Sequence, residues 1–176
     1  MPTLAEQLRE TTPVSLLVRK ARRLGLVGLD AALQVAGSRG CHHYQPAHPG
    51  AVLDPGRDQL PDDELTILLL SGENPYNPTA IRCAAQLARS PHTDPRDLAR
   101  LAGRFRTHRV LAHIARAGLI HDPDGRSFWQ NVLQYLPPVP ERLEPDLPHW
   151  SRYVSMPGRP RQGMGPLPPQ WLVPQP

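Results

Sequence analysis

The stretch RDLARLAGRFRTHRVLAHIARAGLIHDPDGR, residues 96–126, predicts two helices joined by a short break. Asp94 and Pro95 stand directly before it, and they favour a helix start because Asp caps a first turn and proline suits the first helical position. This helix is expected to end near Gly103, and a second to run over Arg106–Ala117. Such a pair is typical either of a DNA-binding helix-turn-helix or of two ordinary packed helices.

Apolar spacing and turn residues extend this helical pattern in both directions. The run LTILLL, residues 65–70, follows three acidic residues and favours a helix, although a short buried strand is also compatible with it. The sequence predicts an all-α fold, a compact bundle or short stack of helices with an extended Pro-rich C-terminal arm. The other expected helices are Thr3–Glu10, Pro13–Leu24, Leu29–Ala36, one from Asp62 to a stop at Gly72, Pro78–Ser90 and Asp124–Leu136.

Composition divides the chain into four parts: N-terminal helices over 1–37, a Gly/Pro/His-rich loop over 38–61, a helical core over 62–136 and a Pro-rich arm over 137–176. The arm holds 12 of the 23 prolines, a density that favours extended polyproline II conformation. Large aromatic residues are unusual in such a segment. We therefore expect Trp150, Tyr153 and Trp171 to dock the arm on a surface of this protein or of a partner.

Length and charge set broad limits on the class of protein. A chain of 176 residues with 39% apolar residues and a net charge of +4 fits one domain with appendages. The polar N-terminus lacks a signal-peptide pattern, and no apolar run approaches the roughly 20 residues that span a bilayer. These features predict a cytoplasmic protein with no membrane association, in which Cys41 and Cys83 are free thiols.

A short internal repeat lies within the core. RCAAQLARS at residues 82–90 recurs as RVLAHIARA at residues 109–117, with four of nine positions identical. Together with the Asn77-Pro78 and Asp94-Pro95 turns, residues 77–117 resemble HEAT-type α-helical repeats. In that family, stacked helix pairs carry an Ala-rich inner face and present a surface to a protein partner. The resemblance implies a non-catalytic binding scaffold.

Basic residues concentrate in the same region. Between Pro78 and Gly118 there are eight arginines and only two carboxylates, Asp94 and Asp97. These arginines either contact phosphate or an acidic partner, or they solvate helix faces. As a helix-turn-helix, the region would place Arg104, Arg106 and Arg109 near the front of the second helix, where base contacts are made. The six candidate contact residues are Arg82, Arg89, Arg104, Arg106, Arg109 and Arg116.

The loop sequence CHHYQPAHPG offers Cys41, His43 and His48 as weak candidates for a metal site, because zinc prefers thiolate and imidazole ligands. Their spacing matches no zinc finger, and incidental histidines in a loop are the alternative interpretation. The acidic run over residues 62–64 fits either an acid pair or the charge of a helix start. No phosphate-binding glycine loop, Gly-x-Ser-x-Gly elbow or His-Glu metal motif occurs. We expect no catalytic residue and no cofactor.

Two functions follow from these observations. The first is a non-catalytic protein–protein interaction or adaptor subunit that uses an Arg-bearing helical surface and the Pro-rich arm. Its expected partner is another protein, within a larger complex. The alternative is a nucleic-acid-binding helix-turn-helix protein, such as a regulator of transcription or defence.

Overall fold

A computed structural model describes residues 13–44, 52–71, 77–139, 147–154 and 170–175; the side chains of residues 13–15 and of Trp150 lie outside this description. Within these ranges the protein is helical, and its one extended pairing is an isolated antiparallel bridge between Val154 and Trp171. The all-α prediction is therefore confirmed. The helices are α1 Pro13–Arg23, α2 Gly28–Ser38, α3 Asp62–Leu70, α4 Pro78–Leu87, α5 Pro95–Arg104, α6 His108–His121, α7 Arg126–Tyr135 and a 3-10 helix, Trp150–Tyr153.

Two of these helices begin where the turn dipeptides predicted. The Asn77 side chain accepts a hydrogen bond from the Ala80 amide at the start of α4, and Asp94 does the same for the first amides of α5. Each cap is followed by a proline, whose missing N–H would have no partner in a first turn. The predicted Thr3–Glu10 helix lies outside the described residues.

The boundaries of α6 differ from the prediction at both ends. The helix begins at His108 rather than Arg106, because Arg106 adopts a left-handed φ of 59° in the turn before it. It continues to His121, beyond the expected end at Ala117. Gly118 is helical here and serves a close contact: a Cβ at this position would lie 2.3 Å from Nε1 of Trp129.

Helix α3 is central to the first half of the described chain. It packs against α1, α2, α4 and α5. Seven of its nine residues are buried, including every residue from Leu65 to Leu70. A helix surrounded by other helices needs no polar face, and this is why its sequence lacks the periodicity that separates a helix from a buried strand.

The second half is formed by α5, α6 and α7, in which α7 packs against both of the others. The 3-10 helix lies on α4 and α6. The repeated sequences fall on α4 and α6, but α4 packs mainly against α2 and α3, whereas α6 packs mainly against α5 and α7. The two segments thus occupy different environments despite their similarity, and neither is a principal packing partner of the other.

The hydrophobic core includes residues on both sides of Leu136. Tyr153, Val154 and Trp171 join the same buried cluster as the side chains of the helices. None of the described helices has the length and apolar character needed to cross a bilayer.

Candidate interaction surface

The exposed side of α5 carries three arginines in register. Leu98, Ala99, Leu101 and Ala102 face the core, so the polar residues of this helix are left on its outer side. Arg96, Arg100 and Arg104 are all exposed and are spaced four residues apart. Residues at this spacing are neighbours on one helix face, and the three guanidinium groups form a row along α5.

Two further exposed arginines follow α5 closely in the sequence. Arg106 and Arg109 are also exposed, and the Thr107 amide donates to the Ala102 carbonyl at 2.9 Å, closing the turn back onto α5. We call Arg96, Arg100, Arg104, Arg106 and Arg109 the basic face.

Two carboxylates lie beside the basic face, and both have local roles. Asp94 accepts hydrogen bonds from the backbone amides of Arg96 and Asp97 at 2.8 and 3.1 Å. Asp97 forms an exposed ion pair with Arg100 at 3.3 Å. An exposed pair of this kind contributes at most about 1 kcal/mol and is easily exchanged for another anion. The surface therefore keeps a positive excess that a partner can use.

An aromatic residue of α7 adjoins the basic face. The guanidinium carbon of Arg96 lies 5.5 Å from the centre of the Tyr135 ring, within cation–π range. Tyr135 is 47% exposed, a large fraction for an aromatic side chain next to a row of arginines. Arginine and tyrosine are enriched at protein–protein interfaces, where they often carry most of the binding energy.

The other three predicted contact arginines form contacts inside the protein. Arg82 donates to the Pro78 carbonyl and to the Thr79 hydroxyl on its own helix. Arg89 forms an ion pair with the buried Asp122 at 2.6 Å, and Arg116 donates to the Val139 carbonyl at 2.7 Å. The six predicted contact residues thus fall into two groups. Arg104, Arg106 and Arg109 lie on the basic face, whereas the other three hydrogen-bond within the protein.

Helix α6 occupies the position of a recognition helix in the helix-turn-helix interpretation. Its burial argues against that role. Eight of its fourteen residues are buried, among them every residue from Val110 to Ala115, and only Arg109 and Ile120 are exposed. A recognition helix must leave one face open to enter the major groove. Here α5, α7 and the 3-10 helix pack against α6 instead.

Of the candidate metal ligands, Cys41 is buried and His43 is partly buried. The Cys41 thiol is buried and points to the Cys83 carbonyl at 3.7 Å, and burial raises its pKa. Burial, together with nearby Arg82 and His42, lowers the pKa of His43 to about 4. His48 lies outside the described residues. In the part of the chain that the structure describes, no three His, Cys, Asp or Glu side chains are arranged to hold a metal ion.

The aromatic residues of the arm lie against the helices. Tyr153 is fully buried and its ring contacts His113 edge-on, with centroids 6.1 Å apart. The Trp171 ring lies 5.5 Å from the ring centres of Trp129 and of Tyr153. Trp150 belongs to the 3-10 helix, and its side chain is outside the description.

Two buried ionic clusters were not found from the sequence. In the first, the Asp62 carboxylate binds Arg39 at 2.8 Å and Arg57 at 3.0 Å, and Arg39 also binds Asp54 at 2.6 Å. The sequence alone makes the acidic run over residues 62–64 compatible with an acid pair or with the charge of a helix start. Asp62 does begin α3, but it also anchors the preceding loop, with side-chain exposures of 0% for Asp62 and 1% for Arg39.

The second cluster is centred on Asp122. Its carboxylate accepts hydrogen bonds from Arg89, from Nε1 of Trp129 at 2.8 Å and from the Gly125 amide at 3.0 Å. In each cluster one arginine is distant in the sequence: Arg39 lies 23 residues from Asp62 and Arg89 lies 33 residues from Asp122, so no local motif could have revealed these pairs. Both clusters connect elements of the scaffold, whereas the arginines of the basic face are exposed.

Comparison with protein-family models, with curated proteins and with solved structures finds no match to this chain.

Proposed function

We propose that this protein is a non-catalytic interaction subunit that binds an acidic segment of another protein through the basic face. The single observation that carries the proposal is a group of five exposed arginines, three on α5, one in the following turn and one in the first turn of α6. Within α5 and its cap, the carboxylates are Asp94 and Asp97, and Asp94 is engaged as the helix cap. A complementary acidic segment would exchange the weak Arg100–Asp97 pair for intermolecular ion pairs.

A protein partner is favoured over nucleic acid by two features. Helix α6 is packed on most of its circumference, so the helix expected to read bases lacks an open face for a major groove. The exposed Tyr135 beside Arg96 gives the face the residue composition of a protein interface. In the alternative function, nucleic acid would be bound through contacts of these arginines with backbone phosphates.

The test compares two charge-reversal variants in the full chain. Arg100→Glu/Arg104→Glu reverses two positions of the basic face. Arg22→Glu/Arg23→Glu is the matched control, because these arginines are also exposed and also lie on a helix. Both variants change the net charge equally. Each protein is immobilised and used to capture proteins from nuclease-treated extract, and retained proteins are identified by mass spectrometry.

Proteins that bind the wild type and the control variant but not the basic-face variant would support the proposal, and their binding sites should be acidic. Identical sets from all three proteins would contradict it. Mobility shifts with duplex DNA and RNA at two salt concentrations test the alternative, since phosphate-backbone binding weakens steeply with salt. A shift that is lost in the basic-face variant would favour nucleic acid over a protein partner.

A further inference from the structure

The last described segment of the chain, residues 170–175, lies in a groove as an extended ligand would. Its backbone is held at three places. The Leu172 amide donates to the Tyr153 carbonyl at 3.3 Å, and the Gln175 amide donates to the Gly40 carbonyl at 3.3 Å. Between them, Nε2 of Gln86 donates to the Val173 carbonyl at 2.9 Å. Main-chain hydrogen bonds of this kind give affinity for an extended segment without regard to its side chains.

A pocket for one side chain adds selectivity. Trp171 is 7% exposed and its ring packs at 63° to Trp129 and at 42° to Tyr153. Its indole nitrogen is buried and has no hydrogen-bond partner among the described residues. The pocket therefore recognises the ring by shape and apolar contact, as interface pockets do for an anchoring aromatic residue.

The floor of the groove is held in place by contacts within the rest of the chain. Gln86 is buried, its Oε1 accepts from the His42 amide at 2.8 Å, and its Nε2 also donates to the Gly40 carbonyl at 3.2 Å. Gly40 has a φ of +92°, and a Cβ there would lie 1.9 Å from the carbonyl oxygen of Gln175. The missing side chain thus leaves the space through which the segment passes.

We infer that this groove is a recognition site for an extended, tryptophan-bearing segment. Residues 170–175 of the same chain fill it here, and the same segment of a second copy can fill it in trans. For binding in trans we propose a second copy of this chain as the partner, because its residues 170–175 are identical to the segment that fits the groove. Every contact named above is non-covalent, and in the sequence 15 residues, 155–169, separate Val154 from the segment. This inference concerns a different surface from the basic face and does not depend on it.

The experiment uses a fluorescein-labelled peptide of residues 168–176, PPQWLVPQP, as a substitute for the segment of a second copy. Its binding is measured by fluorescence anisotropy to three full-length proteins: the wild type, Trp171→Ala and Leu172→Pro. The first variant removes the anchoring ring. The second removes the amide that donates to Tyr153 and leaves the ring in the chain. A peptide with alanine in place of its tryptophan is the matched control.

A tethered segment has a high effective concentration and suppresses binding of the free peptide to the wild type. We expect the peptide to bind either variant at least about tenfold more tightly than the wild type, because the competitor is weakened. The alanine peptide should not bind. Equal affinity for all three proteins, or equal binding of both peptides, would overturn the inference. If circular dichroism showed that neither variant folds, the segment would be an inseparable part of the fold, and the inference would also be wrong.

Discussion

Replacing Asp62 with asparagine removes the centre of the first ionic cluster. The carboxylate accepts hydrogen bonds from Arg39, Arg57 and Ser90, and the guanidinium of Arg39 is 1% exposed. With an amide at this position, Arg39 stays buried with Asp54 as its remaining ion-pair partner. Removing one partner of a buried ion pair costs about 3–5 kcal/mol. We expect a loss of about 3 kcal/mol at pH 7, since asparagine retains one acceptor oxygen.

The loss should depend on pH in a defined direction. Burial acts to raise the pKa of Asp62, but hydrogen bonds from Ser90, Arg57 and Arg39 outweigh it and hold the pKa below the ordinary 3.8. The folded protein therefore binds this proton less readily than the unfolded chain. The stabilisation is fully present above pH 3.8 and is lost as the pH falls through the lower, folded-state pKa. The difference between wild type and Asp62→Asn should therefore shrink as the pH falls below 3.8.

The neighbouring Asp63 provides the control. Burial raises its pKa above 3.8, and the charges of Glu64 and Asp97 add to this effect. Protonated Asp63 therefore favours the folded state; this contribution is fully present below pH 3.8 and is lost as the pH rises through the raised pKa. Asp63→Asn should change stability at pH 7 by no more than about 1 kcal/mol, the range of a charge at a helix start.

Urea unfolding followed by circular dichroism, at pH 7 and at pH 3, measures all three proteins. The cluster has the assigned role if Asp62→Asn is much less stable than Asp63→Asn at pH 7 and if this gap narrows at pH 3. Equal stability of the two variants at pH 7, or a gap that does not change with pH, would refute the reasoning.

Further predictions concern the helix contacts. Gly118→Ala should lower stability by about 1–3 kcal/mol or more, because the new methyl group would lie 2.3 Å from Nε1 of Trp129. Gly103→Ala should instead raise stability by about 0.5–1 kcal/mol, because the nearest atom to the new methyl group would be 3.7 Å away. Thermal melts in which Gly118→Ala is more stable than Gly103→Ala would contradict the close contact assigned to Gly118. Ala112→Leu should cost about 1–3 kcal/mol by overpacking a buried site, whereas Arg109→Ala on the exposed side of the helix should stay within about 0.5 kcal/mol. Equal falls in melting temperature for these two would show that the faces of α6 are assigned backwards.

Local sequence determined most of the helices. The Asn77 and Asp94 caps, each followed by proline, set the starts of α4 and α5, and the apolar spacing of residues 128–136 predicted α7. These signals work because a cap or a helix stripe involves residues only a few positions apart. Local signals also led to two wrong boundaries of α6, which was predicted over Arg106–Ala117. Arg106 belongs to the turn before the helix, and the helix continues through Gly118.

Tertiary structure decided which arginines are available to a partner. By sequence, Arg89 and Arg109 are alike, since each is an arginine within a copy of the same repeat. Arg89 pairs with Asp122, 33 residues away, whereas Arg109 is exposed. Likewise, the sequence predicted that Trp171 docks on a surface but did not identify that surface. The structure shows that its ring packs against Trp129 and Tyr153. Helix formation depends on neighbours along the chain, but the burial of a charge or an aromatic ring depends on residues that only folding brings together.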